Sequence, residues 1–384
     1  MNHNDTLKKI LFLSTVDSHI YYFHLPFMNY LKNKNYSVEV AAFDTGFKNK
    51  IEEKGYKFYN IPFSKNPLSF RNFVSFFLLI KLFNKNKYIL VHTHTPIASF
   101  IGRIASKKCN IPNVVYTVHG FHFHEYGNKI KNFIYIYLEK FAGRFTDILI
   151  TINDYDYNMA LKYKVVPQDK LFYIKGVGLD IEFFNPDLIT DDLKKYYKTS
   201  LNISEDEFVL INISEFRKEK NLFDLLEVLN KLKKSNYKFK CLLIGDGSLK
   251  NKLTKKIKKL NLENNILLLG IREDIRELIS VSDVYITNSI REGLSKSIME
   301  AMSMEKPVIS YNIRGIRELI EDGNNGFLVP FKNIDNFVEK VEYFIKNVKD
   351  REIFGKKARE KIQKEFSIDK ILPQMEKIYN KLLS

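Results

Sequence analysis

Twice along this chain, short β-branched apolar runs alternate with longer stretches of helical period. The alternation pauses once, at Asp180-Ile-Glu-Phe-Phe-Asn-Pro186. Strands separated by helices cannot pair as tight hairpins, so the pattern predicts parallel sheets covered by helices on both faces. In the first series the strands fall at 9–14, 37–42, 88–92, 113–118 and 147–151, with helices near 26–34, 73–83, 97–107 and 131–145. In the second they fall at 208–213, 239–244, 266–269, 284–287, 307–310 and 327–329. Helices there fit 222–234, 249–260, 275–281, 297–303 and 316–321, and beyond Asn333 the pattern is helical to the end. The expected architecture is α/β: two doubly wound domains, 1–185 and 186–365, with strand C-termini facing a shared cleft, then a terminal helical segment at 366–384.

Composition narrows the class. With 45% hydrophobic and 28% charged residues the chain is of soluble globular type. Cys109 and Cys241 stand far apart, giving neither a disulfide framework nor a metal cluster, and suit a reducing compartment. The opening residues run directly into a strand with no signal-peptide pattern. No apolar run reaches the eighteen or so residues that a membrane-spanning helix needs. The most apolar stretch, Phe73 to Phe83, is interrupted by Ser75 and Lys81 and is expected to pack as a helix on a sheet. Of the net charge of +16, about +11 lies in residues 1–150, where 20 Lys and Arg face 9 Asp and Glu. Such a basic half suits an anionic membrane face. It also fits simple compositional bias. A nucleic-acid partner is not expected, because no basic groove-reading helix or recognition module is present.

Chemistry concentrates in Arg291-Glu-Gly-Leu-Ser-Lys-Ser-Ile-Met-Glu-Ala-Met302. Glu292, with Gly293 and Leu294, precedes a helix and is placed to accept hydrogen bonds from sugar hydroxyls. The helix N-terminus around Ser295 and Ser297 offers free N–H groups and a positive dipole end to a diphosphate. Glu300, further along the helix, can grip the vicinal hydroxyls of a ribose. Alone, the spacing fits a loop glutamate and a solvated helix glutamate equally well. Gly245-Asp-Gly247 and Gly270-Ile271-Arg272 each follow a strand, as ligand-edge turns do, although a plain tight turn explains them as often. No G-x-G-x-x-G follows a strand and no Walker loop is present, which argues against a dinucleotide dehydrogenase and a phosphate-loop ATPase. Arg217, Lys218 and Lys220 follow the strand at 208–213, where cations can neutralise a departing diphosphate.

In the first half, His119 and His122 follow one strand, His92 and His94 another, and His19 and His24 the first. Imidazoles at strand ends can donate to sugar hydroxyls or phosphate. A three-His zinc site is the rival, although no H-E-x-x-H pattern supports it. Asp154-Tyr-Asp156 could hold a divalent metal under a diphosphate, but it opens a helical stretch where Asn153 or Asp154 serves as N-cap. No Gly-x-Ser-x-Gly elbow or Cys–His pairing points to a nucleophilic hydrolase.

Assembled, the chain resembles retaining glycosyltransferases of family 4, which have the GT-B fold of two Rossmann-like domains. The family's E-x7-E signature stands as Glu292 and Glu300. Ile244-Gly-Asp-Gly247, Ser282-Asp-Val-Tyr285, Pro307-Val-Ile-Ser310, Asp322-Gly-Asn-Asn-Gly-Phe-Leu-Val329 and Gly176-Val-Gly-Leu-Asp180 support it. Val91-His-Thr-His-Thr-Pro96, Thr117-Val-His-Gly-Phe-His-Phe123 and Thr146-Asp-Ile-Leu-Ile-Thr-Ile-Asn153 are similar to bacterial exopolysaccharide and capsule transferases. The resemblance implies a nucleotide-sugar donor, UDP-linked, carrying a hexose or N-acetylhexosamine and bound by the second domain. It implies a glycan or polyprenyl-diphosphate-linked acceptor on the first domain, at the inner face of the plasma membrane, with no cofactor and no metal. The terminal helix would cross back onto the first domain.

Carried over by position, Glu292 contacts the donor sugar, Glu300 the ribose, Lys220 the phosphate and His119 the donor sugar. Arg217, Lys218, Gly245, Gly247, Ile271, Arg272, Gly293, Leu294, Ser295 and Ser297 complete the donor set, and His19, His94 and His122 the acceptor set. Two positions depart from the pattern. Ser214-Glu215 stands where many members have Gly-Arg, leaving Arg217 or Lys218 to supply the missing cation, and Ser295 replaces a frequent proline. An epimerase of the same fold, a basic nucleic-acid-binding protein and a non-enzymatic partner subunit are the alternatives.

Overall fold

The computed structural model describes residues 7–383; the opening residues 1–6, where the sequence shows no leader pattern, lie outside them. Two compact units form. The first runs to Val177 and takes back the chain from Ile371; the second is Gly178–Lys370. The sequence-based divisions at 185 and 365 fall inside the second unit, because Leu179, Phe184 and Phe366 belong to its core. Leu179 N–H also donates to the Phe366 carbonyl at 2.9 Å, and the Leu179 carbonyl accepts the Ile368 N–H at 2.8 Å. The terminal helix Ile368–Leu383 thus carries most of its length into the first unit, where Tyr379 is buried and Tyr30 OH donates to Glu376 at 2.7 Å.

The first unit's strands are β1 Lys9–Val16, β2 Ser37–Phe43, β3 Lys57–Asn60, β4 Tyr88–His94, β5 Asn113–Val118, β6 Ile148–Thr151 and β7 Leu171–Tyr173. They form one parallel sheet in the order β3-β2-β1-β4-β5-β6-β7. The second unit's strands are β8 Phe208–Ile213, β9 Phe239–Ile244, β10 Ile266–Gly270, β11 Val284–Thr287, β12 Val308–Tyr311 and β13 Gly326–Val329. These too are parallel, in the order β10-β9-β8-β11-β12-β13. The central strands are covered on both faces, so Ile10–Leu13 and Leu210–Ile211 read as continuous apolar runs rather than alternations. Two edge strands, β3 and β7, escaped the sequence reading, since three or four residues are too few to display a period.

In each sheet the winding direction reverses once, between β1 and β4 and between β8 and β11. At that reversal the loops after the two strands depart in opposite directions and leave a crevice beyond the strand C-termini. One helix packs on the sheet as expected and also presents a second apolar side. The stretch at 73–83 is helical over Phe70–Lys85, but it buries only one side, with Leu79, Leu82 and Phe83, and leaves Phe70, Phe73 and Phe77 exposed. No described helix is long and apolar enough to cross a membrane.

Candidate functional site

The second unit's crevice joins residues from four loops. After β8, a 3-10 turn over Lys218–Lys220 brings Lys220 to the reversal point; after β11, residues 288–295 bring Glu292 there. Glu219's carbonyl accepts the Ile290 N–H at 2.9 Å, tying the two loops together. Lys220 Nζ then donates to Glu292 Oε1 at 2.5 Å, with side chains 14% and 12% exposed. Burial works to raise the Glu292 carboxyl, yet the Lys220 ammonium, the Ser289 hydroxyl and Arg217 outweigh it and hold the group below its ordinary range. An anionic glutamate is therefore already present when a ligand arrives.

The helix expected at 297–303 starts one residue earlier, at Lys296. Its N-cap, Ser295, makes no side-chain capping bond; its hydroxyl lies 3.2 Å from that of Ser297. Ser297 in turn bonds Tyr285 OH at 2.8 Å and donates to the Ile213 carbonyl at 3.2 Å. These hydroxyls tie the helix to the ends of β8 and β11 and leave its first N–H groups uncapped, which is the arrangement that accepts an anion. Glu300, 3.8 Å from Lys296, titrates near 7 because burial outweighs that neighbour.

The glycines have a packing reason. A Cβ on Gly245 would fall 2.0 Å from the Ser214 carbonyl oxygen, and φ there is +136°. A Cβ on Gly247 would meet Phe216 backbone at 2.6 Å. Gly245 N–H donates to the Gly270 carbonyl at 2.7 Å, so the loops after β8, β9 and β10 form one bonded edge. Among the other expected donor residues, Gly293 and Leu294 lie beside Glu292 in the same loop, Lys218 and Ile271 are exposed, and Arg272 is bound bidentately by Asp274. Arg217, the candidate for the missing cation, is held between Glu215 at 3.6 Å and Glu219 at 3.8 Å.

Arg314 and Arg291 were not foreseen. Arg314, 3% exposed, follows β12, and its neighbour Gly315 (φ +73°) sits so close to the Gly293 carbonyl that a Cβ would lie 1.8 Å away. That contact draws the loop after β12 onto the Glu292 loop. Arg291 feels the charges of Glu219, Arg314 and Arg217, while burial lowers its pKa. Reading every strand-end loop, rather than only those with glycines, would have found both.

The first unit's crevice is lined by imidazoles. His92 and His94 end β4, His19 and His24 follow β1, and His119 follows β5. His24 and His94 stack with centroids 3.7 Å apart, His19 meets His119 edge-on at 4.4 Å, and His119 Nε2 lies 3.4 Å from His94 Nδ1. Burial pushes His19 and His92 down to about 3 and the other three well below the usual histidine range, so all five are neutral. His92 is satisfied by Tyr379 OH at 2.9 Å and Thr117 at 2.8 Å. Both His24 nitrogens and one nitrogen each of His19 and His94 find no protein partner.

One expectation changes here and another is met. His122 does not join this group: Phe121 and Phe123 stack inward at 4.5 Å, so the residue between them turns the other way, toward Tyr135. The Asp154–Asp156 pair serves the helix Asp154–Tyr163, as the capping alternative held. Asn153 accepts the Asp156 N–H at 2.7 Å and donates to its carboxylate at 2.6 Å, and Phe121 N–H reaches that carboxylate too. Of the described residues, His19, His24 and His119 form the group able to hold a metal ion, with ring nitrogens within 4.8 Å of one another.

Residues 194–361, which contain Lys220, Glu292 and Glu300, match the family of glycosyl transferases group 1; residues 9–153, with the histidines, match glycosyl transferase 4-like. The Bacillus subtilis protein EpsD, named for glycosyltransferase activity, is 32% identical over 376 residues, covering 97% of this chain and 96% of that one. The chain belongs to the group 1 glycosyltransferases. An Escherichia coli relative of this glycosyltransferase, named UDP-Gal:alpha-D-GlcNAc-diphosphoundecaprenol alpha-1,3-galactosyltransferase, is 30% identical over 91% of this chain and 90% of its own. Anabaena Alr3699/HepE, solved with UDP and glucose, shares the GT-B fold with a TM-score of 0.82 at 21% identity, over 97% of this chain and 100% of that one.

Proposed function

We propose that this glycosyltransferase moves a hexose or N-acetylhexosamine from a UDP-sugar to a polyprenyl-diphosphate-linked saccharide, retaining the anomeric configuration and using no metal. The observation that carries the reading is the Lys220–Glu292 pair beside the uncapped N-terminus of Lys296–Ser303. Glu300 takes the ribose hydroxyls and the helix N–H groups take the diphosphate. Lys220 is shared between Glu292 and phosphate, and Glu292, kept anionic, orders the sugar hydroxyls. Arg217, loosely held at 3.6–3.8 Å, adds a second cation as the leaving group's charge develops.

Front-face attack is the step assigned to this set, with no separate base invoked for the acceptor hydroxyl. The departing diphosphate takes that proton as the new bond forms. In the first unit, His19 and His94, each with a buried ring nitrogen that has no protein partner, are assigned to the acceptor saccharide. The E. coli relative's name gives a UDP-linked donor and a lipid-linked acceptor for that protein, which supports the reading that this enzyme works at the inner face of the membrane.

The test is transfer from a panel of UDP-sugars to short polyprenyl-diphosphate-linked GlcNAc, read by product mass and anomeric configuration. One donor should give product, and Glu292→Gln should lower turnover at least a hundredfold with melting nearly unchanged. Full turnover by that variant, or product only from a non-nucleotide donor, removes the reading. Isomerised donor formed without any acceptor would establish the epimerase instead.

A further inference from the structure

We infer that the outer face formed by the helices Phe70–Lys85, Pro96–Lys108 and Lys129–Gly143 is a docking surface for an anionic phospholipid bilayer. The connections β3→β4, β4→β5 and β5→β6 all run the same way across the sheet. With right-handed crossovers their helices therefore lie on one face. The middle helix touches both neighbours, and its fully buried Arg103 donates to Glu139 of the third at 2.8 Å.

On the two flanking helices the helical-period apolar stripe points outward. Phe70, Phe73 and Phe77 are 74%, 58% and 51% exposed; Ile130, Phe133 and Tyr137 are 72%, 72% and 65% exposed. Positions i, i+3 and i+7 recur on both helices, the spacing that normally faces a core. Phe70 lies 5.7 Å from Phe73, and Phe73 packs edge to face with Phe77 at 4.8 Å, so the stripe on the first helix is an unbroken apolar ridge.

Charge selects the occupant. Arg71, Lys81 and Lys85, then Lys107 and Lys108, then Lys129, Lys131 and Lys140 accompany the ridge, while Glu139, the one acid on these helices, is engaged by Arg103. A second copy would set this cationic face against itself in a two-fold contact, which like charges oppose. Aromatic side chains flanked by lysines are what an interfacial element presents to anionic lipid, each well-placed cation adding to binding. The inference builds on the lipid-linked acceptor proposed above, by naming the surface that would bring the enzyme to it.

The experiment is co-sedimentation of the whole protein with vesicles of phosphatidylglycerol and phosphatidylethanolamine, against vesicles of phosphatidylcholine alone. Wild type should bind the anionic vesicles at least tenfold more tightly, with binding weakened by salt. Phe73→Ser with Phe77→Ser, and Phe133→Ser with Tyr137→Ser, should each lower it at least tenfold; Lys129→Gln with Lys131→Gln should flatten the salt dependence. All these positions are exposed, and unchanged melting together with unchanged stabilisation by UDP shows that the variants fold. Absence of binding by wild type, or unaltered binding by both aromatic variants, overturns the inference. So does a wild-type dimer that the same variants dissociate without altered vesicle binding. The assay contains neither donor nor acceptor, so docking and transfer can fail separately.

Discussion

Replacing Lys220 by methionine tests the centre of the site, because methionine keeps much of the stem and removes only the charge. Glu292, 12% exposed, would then keep its burial and lose the ammonium at 2.5 Å. Removing one partner of a fully buried pair costs about 3–5 kcal/mol. Here Ser289 and Arg217 still face the carboxylate and some water reaches it, so a loss of about 2 kcal/mol is expected. For a unit the size of Gly178–Lys370 that lowers melting by about 4–8 °C.

The sign of the pH dependence is the sharper check. In wild type the folded Glu292 pKa is depressed, so its stabilisation is present above the unfolded value and is lost as pH falls through the folded one. In Lys220→Met, burial becomes the leading influence and raises the carboxyl. The unfolded chain then ionises first, and the variant loses stability as pH rises above its ordinary carboxyl range of about 4.3. Its melting deficit should be widest at pH 7–8 and shrink toward pH 5. Adding Glu292→Gln, which removes the orphaned charge, should recover more than half of it. UDP affinity should fall about 10- to 100-fold, the worth of one charge-assisted hydrogen bond to phosphate. Thermal melts of the four proteins from pH 5 to 8, with and without UDP, decide the matter. A deficit constant across that range and additive in the double variant would refute the coupling, and with it the pocket built on the pair.

Glu300 differs in sign: its folded pKa of about 7 lies above its unfolded value, so wild-type stability should fall as pH rises from about 4.5 to about 7. Glu300→Gln should remove that slope in thermal melts while weakening UDP binding about tenfold, the worth of one lost hydrogen bond to the ribose. Gly315→Ala combines φ +73° with a 1.8 Å approach to the Gly293 carbonyl, so unit melting should drop and UDP stabilisation should vanish. Exhaustive treatment with EDTA should leave transfer within about twofold, since Lys220, Arg217 and the helix N–H groups neutralise the diphosphate. A large loss restored by zinc would assign the His19–His24–His119 group to the metal.

The double alternation of short apolar runs and helices was enough to read the second sheet and the five inner strands of the first, because buried parallel strands must be apolar throughout and helices must separate them. Helix Phe70–Lys85 shows the limit of the same logic. Its apolar stripe has core spacing, and nothing local says whether the stripe meets a sheet or a different solvent. The site divides along similar lines. Glu292, Lys220 and Glu300 were legible because their positions relative to strand and helix ends carry the chemistry. Arg314 and Arg291 were not, because what brings them in is Gly315 pressed against Gly293, a contact between loops that only strand order makes neighbours. Gly245 makes the converse argument. From sequence it was either a ligand-edge turn or a plain tight turn, and the Ser214 carbonyl by itself forbids a side chain there. A glycine at a strand end reports that backbone comes close, and only the order β10-β9-β8-β11 reveals that the approaching backbone is the protein's own.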